Sequence, residues 1–195
     1  TRTDRITYLT PKFNGFQAGV SYAPDAALHT GFGNMGAAGF EDAWELAVRW
    51  DGQFEGIGLS LGGGYSTADN TAAAPAGDPT TWNVGANVAW NQFSFGAAWR
   101  EQQDTFGINN LDTTTWVVGA AWDNGPWHVG ASYLDRNDDF GAGVDVDSWR
   151  AAVGGGYTFG PGMTFRGTIA WGEEDPTGPA SADATQVTLG TDISF

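Results

Sequence analysis

The sequence predicts an all-β protein, a transmembrane antiparallel up-and-down β-barrel that occupies residues 1–195 as a single domain. Three observations predict this fold. Apolar residues alternate with small or polar residues at period two. Aromatic residues stand near both ends of the apolar faces, and short connections alternate with long ones. The segments have about the 9–11 residues that a tilted strand needs to cross a bilayer.

Eleven segments show this alternation, and no segment shows a convincing helical period. In chain order they span residues 5–10, 16–23, 42–50, 57–66, 81–90, 93–101, 113–122, 127–135, 148–157, 163–172 and 184–195. Their apolar faces carry, in the same order, Ile6 and Tyr8; Phe16, Ala18, Val20 and Tyr22; Trp44, Leu46, Val48 and Trp50; Ile57, Leu59, Leu61 and Tyr65; Trp82, Val84, Ala86, Val88 and Trp90; Phe93, Phe95, Ala97 and Trp99; Trp116, Val118, Ala120 and Trp122; Trp127, Val129, Ala131 and Tyr133; Trp149, Ala151, Val153 and Tyr157; Met163, Phe165, Ile169 and Trp171; and Val187, Leu189, Ile193 and Phe195.

Aromatic residues at both ends of an apolar face indicate two girdles at the membrane interfaces. The predicted girdle residues are Trp44, Trp50, Trp82, Trp90, Trp116, Trp122, Trp127 and Tyr133. Within a segment they are separated by roughly 20–27 Å of strand, which fits an apolar band of about 25 Å. A soluble sandwich or lectin-like barrel, the alternative, would place tryptophan in the middle of its strands.

Short and long connections between the segments alternate along the chain. The short ones span residues 11–15, 51–56, 91–92, 123–126 and 158–162, and the long ones span 24–41, 67–80, 102–112, 136–147 and 173–183. Outer-membrane barrels have short periplasmic turns and long extracellular loops. The pattern therefore predicts that the first strand descends from the outside and that the last one ends on the periplasmic side.

Composition excludes several other classes of protein. The formal net charge is −15 and cysteine is absent. An acidic chain lacks the basic footprint of a nucleic-acid binder, and a chain without cysteine has no disulfide or thiolate metal site. The two histidines, His29 and His128, stand beside no recognisable catalytic pattern. The sequence predicts no enzyme and no cofactor.

Five of the eight basic residues lie within the predicted strands, all on the polar face. Charge on a lipid-facing side costs about 2–4 kcal/mol at the midplane, so these residues are predicted to face the lumen. By depth, Arg5, Glu45 and Arg166 are the candidates for a constriction; Arg49 is predicted near the periplasmic girdle, and Arg100 and Arg150 near the outer rim. Gln17, Asn83, Asn87, Thr115 and Gln186 complete the predicted wall. Ordinary pairing of these arginines with lumen carboxylates is the alternative interpretation.

Most of the 23 carboxylates fall in or beside the long connections. Such a vestibule concentrates cations within a Debye length. A cluster at Asp138, Asp139, Asp145 and Asp147 is a possible site for Ca²⁺ or Mg²⁺ through oxygen ligands. A solvated, mutually repelling surface is the other interpretation of the same residues.

Two stretches resemble the general diffusion porins of Gram-negative bacteria, especially the alphaproteobacterial type. They are residues 4–25, DRITYLTPKFNGFQAGVSYAPD, and residues 188–195, TLGTDISF. The resemblance implies a barrel of sixteen strands, of which these would be the C-terminal two-thirds; a complete barrel of ten or twelve strands is the alternative. It also implies an assembly signal at Phe195 for the barrel-assembly machinery, and a homotrimer in which Val187, Leu189 and Ile193 contact partner or lipid.

The expected function is therefore passive diffusion of small hydrophilic solutes and ions through an outer-membrane channel with mild cation preference. Outer-membrane lipid and lipopolysaccharide are the expected surroundings. A substrate-selective channel would carry aromatics on its lumen face, and the predicted lumen face carries no tryptophan. A closed structural or adhesin barrel would fill its lumen with bulky side chains, whereas glycine, alanine, serine and threonine dominate here.

Overall fold

The computed structural model describes residues 5–25, 39–71, 77–160, 162–177 and 181–193. Within them the chain forms eleven β-strands and one short 3₁₀ turn, Thr105–Gly107. The strands are β1 Ile6–Leu9, β2 Phe16–Asp25, β3 Phe40–Phe54, β4 Ile57–Asn70, β5 Thr80–Trp90, β6 Phe93–Gln103, β7 Asp112–Asn124, β8 Trp127–Asp139, β9 Asp145–Thr158, β10 Met163–Pro176 and β11 Ala182–Ile193. All eleven correspond to predicted segments.

All strands belong to one antiparallel sheet in which each strand pairs with its neighbours in the chain. The spatial order is the chain order from β1 to β11, so the topology is up-and-down throughout, as predicted. The sheet is not closed, and β1 and β11 form its two edges. In the part of the chain that the structure describes, no helix has the length and apolar character to cross a membrane.

The strands extend beyond the predicted segments on the side of the long loops. β8 reaches Asp139 and β10 reaches Pro176, so the connections predicted at 136–147 and 173–183 are much shorter. The extension has a physical reason: each added residue in a paired ladder satisfies backbone N–H and C=O groups that would otherwise need other partners. An irregularity in the β3–β4 register between Glu41 and Trp44 marks where the pairing shifts in the outer part.

The strand register sorts the side chains onto two faces. Arg49, Gly62 and Gly85 are successive partners across β3, β4 and β5, and polar or small residues follow them on the same face, here called the channel face. The opposite face, here called the outer face, carries all ten tryptophans. The predicted alternation of apolar with small or polar residues therefore corresponds to the two faces of the observed sheet.

The apolar residues of the outer face have almost no protein core to pack into. Among the described residues the buried apolar side chains are Ala23, Leu111 and Ala170, whereas Val48 and Leu189 are 59% and 68% exposed. Soluble monomers rarely expose such a large contiguous apolar surface to water. The outer face is therefore built for a lipid environment.

Aromatic rings meet between neighbouring strands near both ends of the outer face. On the long-loop side, ring centroids lie 4.5 Å apart for Tyr22 and Trp44, and 4.4 Å apart for Tyr65 and Trp82. On the short-turn side, Trp127 and Tyr157 lie 4.6 Å apart. The eight tryptophan and tyrosine residues predicted for the girdles all lie on this face. Amphipathic rings at these two levels suit the two interfaces of a bilayer.

Left-handed backbone conformations make several of the tight turns. Asn14 and Gly15 have φ of 47° and 86°, and Glu55 and Gly56 have φ of 46° and 83°. Consecutive positive φ values match the twist of the flanking strands in short hairpins. At Gly15 a side chain would also approach the carbonyl oxygen of Asp51 to 2.2 Å, so glycine is required there.

The two faces can be tested with adjacent residues of β7. We expect Val118→Arg, on the outer face, to lower the free energy of unfolding from bilayers by about 2–4 kcal/mol, because it places charge in lipid. Val117→Arg, its neighbour on the channel face, should change that free energy much less. Urea titrations of folding into lipid vesicles, followed by tryptophan fluorescence, measure both; equal losses would contradict the assignment of faces.

Candidate functional site

The channel face holds a network of charged side chains that begins at the first two strands. Arg5, immediately before β1, donates from its guanidinium to Glu45 Oε2 at 3.0 Å. Thr7 and Ser21 hydroxyls lie 3.0 Å apart beside this pair. The structure thus joins two of the predicted constriction residues, Arg5 and Glu45, in one ion pair between β1 and β3. Both partners are about half exposed, so the pair faces water.

A second cluster lies near the short turns and centres on Asp51. Lys12 Nζ and the Arg49 guanidinium each donate to this carboxylate at 2.8 Å. Gln17, also on the channel face, donates to the Thr10 carbonyl at 3.1 Å. β3 continues to Phe54, past the predicted end at residue 50. Arg49 therefore lies further from the end of its strand than predicted.

A third ion pair involves an arginine that was assigned to a loop. Arg136 lies in β8, where its guanidinium donates to Asp138 Oδ1 at 3.1 and 2.8 Å. Asp138 also accepts a 2.5 Å hydrogen bond from the Thr113 hydroxyl of β7. The alternation of Leu134, Arg136 and Asp138 on the channel face continues the strand period. That continuation was the signal in the sequence that would have identified Arg136.

This pair anchors the connection between β6 and β7. The buried Thr105 hydroxyl donates to Thr113 Oγ1 at 3.1 Å, and the Thr105 backbone N–H donates to the Leu111 carbonyl at 2.7 Å. The Gly77 N–H donates to the Gly107 carbonyl at 3.3 Å, which ties the connection to the segment before β5. The rim on the long-loop side is thus a folded structure joined to the channel face through Asp138.

Two arginines stand apart from these pairs. Within the described ranges, neither Arg100 nor Arg150 has a carboxylate within 4.0 Å. Arg150 donates to Gln186 Oε1 at 3.4 Å, and Arg100 stands between Asn83 and Thr115 in the register. Pairing with carboxylates, the alternative weighed for the arginines, accordingly applies to Arg5, Arg49 and Arg166 and not to these two. They leave two uncompensated positive charges in the long-loop half of the channel face.

Towards the last strands, two further charged pairs lie near the short turns. Arg166 Nε lies 2.7 Å from Asp192 Oδ2 in an ion pair between β10 and β11. His128 Nδ1 lies 2.6 Å from Asp123 Oδ1 between β8 and β7. Arg166 is close to the start of β10 at Met163, where the predicted segment also begins, and its place in a constriction stays a prediction. Neither partner was predicted from the sequence, because both pairings depend on strand register.

The channel face borders two recesses, and glycine and alanine contribute to the lining of both. One, of about 1000 Å³, extends from Glu45 and Arg49 to Arg100, and Asn83 and Asn87 contribute to its wall. The other, of about 710 Å³, lies between Asn87, His128 and Arg166. Because small side chains leave this face open, polar solutes and water have room beside the charged groups.

The four aspartates proposed as a metal site are not brought together. Asp138 faces the channel, whereas Asp139, Asp145 and Asp147 fall on the outer face. Asp139 accepts from the Gly141 N–H, Asp145 bonds Thr177, and Asp147 accepts from Asn137. Across the described parts of the chain, no three His, Cys, Asp or Glu side chains are grouped to hold a metal ion. The four aspartates therefore do not form one cluster, because strand alternation places Asp138 on the face opposite to Asp139, Asp145 and Asp147.

The predicted assembly signal, Phe195, lies outside the described residues, as does His29. The predicted partner contacts Val187, Leu189 and Ile193 lie on the outer face of β11, where they are 64%, 68% and 58% exposed.

A family model described as Gram-negative porin matches residues 1–177. No curated protein matches the chain. Solved structures include an anion-selective porin from Comamonas acidovorans, at 17% identity and a TM-score of 0.65 over 97% of this chain and 57% of that one. The outer-membrane channel DcaP of Acinetobacter baumannii is 13% identical with a TM-score of 0.72, over 98% and 62% of the two chains. OmpT of Vibrio cholerae, in a trimer form, is 15% identical with a TM-score of 0.64, over 97% and 63%. The chain thus spans less than two thirds of the length of each of these proteins.

The rim can be tested at Asp138. We expect Asp138→Asn to loosen residues 104–111, because the amide weakens the bonds from Arg136 and Thr113. Hydrogen exchange of this segment should become faster by about tenfold, the effect of losing roughly 1–2 kcal/mol of local stability.

Asp139→Asn is the matched control, since Asp139 lies on the other face and, among the described residues, its carboxylate accepts from the Gly141 N–H two positions along the same chain. Equal acceleration of exchange in both variants would contradict the anchoring role of Asp138.

Proposed function

This chain belongs to the Gram-negative porin family, and from that membership we propose that it forms the wall of a passive, water-filled diffusion channel for small hydrophilic solutes and ions. Proteins of this family reside in the outer membrane. The observation that carries the proposal is the division of the sheet into an exposed apolar outer face and a charged, glycine-rich channel face. A wall of this kind conducts solutes without chemistry, cofactor or energy coupling, so no enzymatic activity is proposed.

We propose that the channel prefers cations mildly. The support is the net charge of −15, together with the ion pairs that compensate Arg5, Arg49, Arg136 and Arg166. Arginines that are neutralised by carboxylates contribute little field at a distance, while the surplus carboxylates attract cations.

Anion preference is the second candidate. Arg100 and Arg150 favour it, because each places an uncompensated positive charge on the channel face. The related Comamonas porin is described as anion-selective. The two candidates differ in which charges determine the ion selectivity of the channel: the surplus carboxylates of the whole chain or the two local arginines.

We further propose that the protein assembles as a homotrimer surrounded by outer-membrane lipid and lipopolysaccharide, after insertion by the barrel-assembly machinery. The trimer form of the related OmpT supports this assembly. The apolar, exposed side chains of Val187, Leu189 and Ile193 on β11 suit contact with a second copy or with lipid.

Single-channel recording of the protein purified from its native membrane tests the proposed function. We expect steps of nanosiemens order in KCl, and a reversal potential in a KCl gradient that has the sign of cation preference. A reversal potential of the opposite sign would select the anion-preferring alternative. The absence of steps would contradict the channel itself.

The contribution of the uncompensated charge can be measured separately with Arg100→Gln. We expect the ratio of K⁺ to Cl⁻ permeability to rise by about 1.5-fold to threefold, because an exposed charge interacts with a passing ion by a few tenths to about 1 kcal/mol. Glu101→Gln is the control on the adjacent residue, whose side chain lies on the outer face. A ratio that is unchanged in Arg100→Gln, or that changes equally in the control, would contradict this role.

A further inference from the structure

Four residues near the short turns form one row across the sheet. Asp123 of β7 is the register partner of His128 in β8, and His128 is the partner of Gly156 in β9. Gly156 is in turn the partner of Arg166 in β10. All four lie on the channel face. Two groups that can carry positive charge therefore flank a glycine.

His128 and Arg166 each pair with a carboxylate on the strand that lies away from Gly156. The His128 ring is hydrogen-bonded to Asp123 through Nδ1 at 2.6 Å, and Arg166 forms an ion pair with Asp192, with Nε 2.7 Å from Oδ2. His128 Nε2 and the terminal guanidinium nitrogens of Arg166 have no partner in the described parts of the chain. From β7 to β11 the row thus contains a carboxylate, an imidazole, the open position over Gly156 (here called the gap), a guanidinium and a carboxylate.

The gap is a real space in the wall. It belongs to the 710 Å³ recess, whose floor includes the channel-face glycines 119, 130, 154 and 156, with Thr164 and Thr168 at its side. A Cβ atom at Gly156 would lie 3.4 Å from Arg166 Cγ, so the arginine stem lies against the glycine and borders the space. Adjacent strands are about 4.8 Å apart, so β8 and β10 stand about 10 Å apart across the gap. A small anion fits between two groups at this separation.

The chemistry of the row favours an oxyanion. An anion over Gly156 lies on the strand between those of His128 and Arg166, whereas the two carboxylates stand one strand further out on either side. Guanidinium groups present forked donors that match carboxylate and phosphate oxygens, and the threonine hydroxyls add neutral donors. A cation in the same position would meet the Arg166 guanidinium first.

We infer that the recess over Gly156 is a binding subsite for small oxyanions, the carboxylate or phosphate groups of solutes in transit, with Arg166 and His128 as its donors. The inference rests on the proposed channel function, to which it adds a class of solute. It does not depend on whether the whole channel prefers cations or anions.

The His128 ring completes the surroundings of the anion. A ring that donates from Nδ1 to Asp123 presents the lone pair of Nε2 to the anion, whereas a ring protonated at both nitrogens presents an N–H donor. The groups that face the ring are Asp123 from β7, glycines from β9, Arg166 from β10 and, beyond it, Asp192 from β11.

Sulfate is the probe, because it is a small oxyanion of fixed charge. We expect sulfate to block the KCl conductance of single channels. Arg166→Gln should raise the half-blocking concentration about fivefold, because it removes the guanidinium donors. His128→Gln should raise it by a smaller factor.

Arg49→Gln is the matched control, since it removes an ion-paired channel-face arginine near the short turns, on β3 and outside the row. Block that is unaltered by both Arg166→Gln and His128→Gln, or that weakens equally in Arg49→Gln, would overturn the subsite. Equilibrium binding of sulfate to the same proteins in detergent, measured by calorimetry, gives a readout that needs no conduction. Loss of KCl steps with retained sulfate binding would count against the channel and in favour of the subsite; normal KCl steps without block or binding would do the reverse.

Discussion

The structure depends on one constraint, that every backbone N–H and C=O group within a bilayer must find its partner inside the protein. A sheet meets this requirement through its inter-strand ladder, and here each interior strand is paired on both sides with its neighbours in the chain. The side chains are then left with two environments. Because the period of a strand is two, the same ladder that satisfies the backbone also decides which residues meet lipid and which meet water.

That separation accounts for the chemistry of the protein. Charged groups collect on the channel face, where water and opposite charges solvate them, and the pairs Arg5–Glu45 and Arg166–Asp192 join strands across that face. Tryptophan is confined to the outer face. The glycines of β4 and β9 serve the channel in a different way, since their lack of side chains provides the space in which the charged groups act.

Alternation and aromatic spacing were sufficient to predict all eleven strands, because both follow from the local period of the chain. The ends of β3, β8 and β10 were predicted too short, since there the ladder continues after the apolar pattern has stopped. Arg136 was misplaced for that reason. The ion pairs could not be predicted from the sequence, because the register between strands determines a partner such as Asp192 or Asp123. Asp138 and Asp139 show the same limit: adjacent in sequence, they lie on opposite faces.

Because each of the described strands pairs with its neighbours in the chain, a single hairpin can be gained or lost as a structural unit. A duplicated or deleted hairpin would change the circumference of the wall without rethreading the other strands. Each turn would keep its own geometry, and each remaining strand would regain two partners. An architecture of this kind can vary its width among descendants while every copied hairpin carries its own outer and channel faces with it.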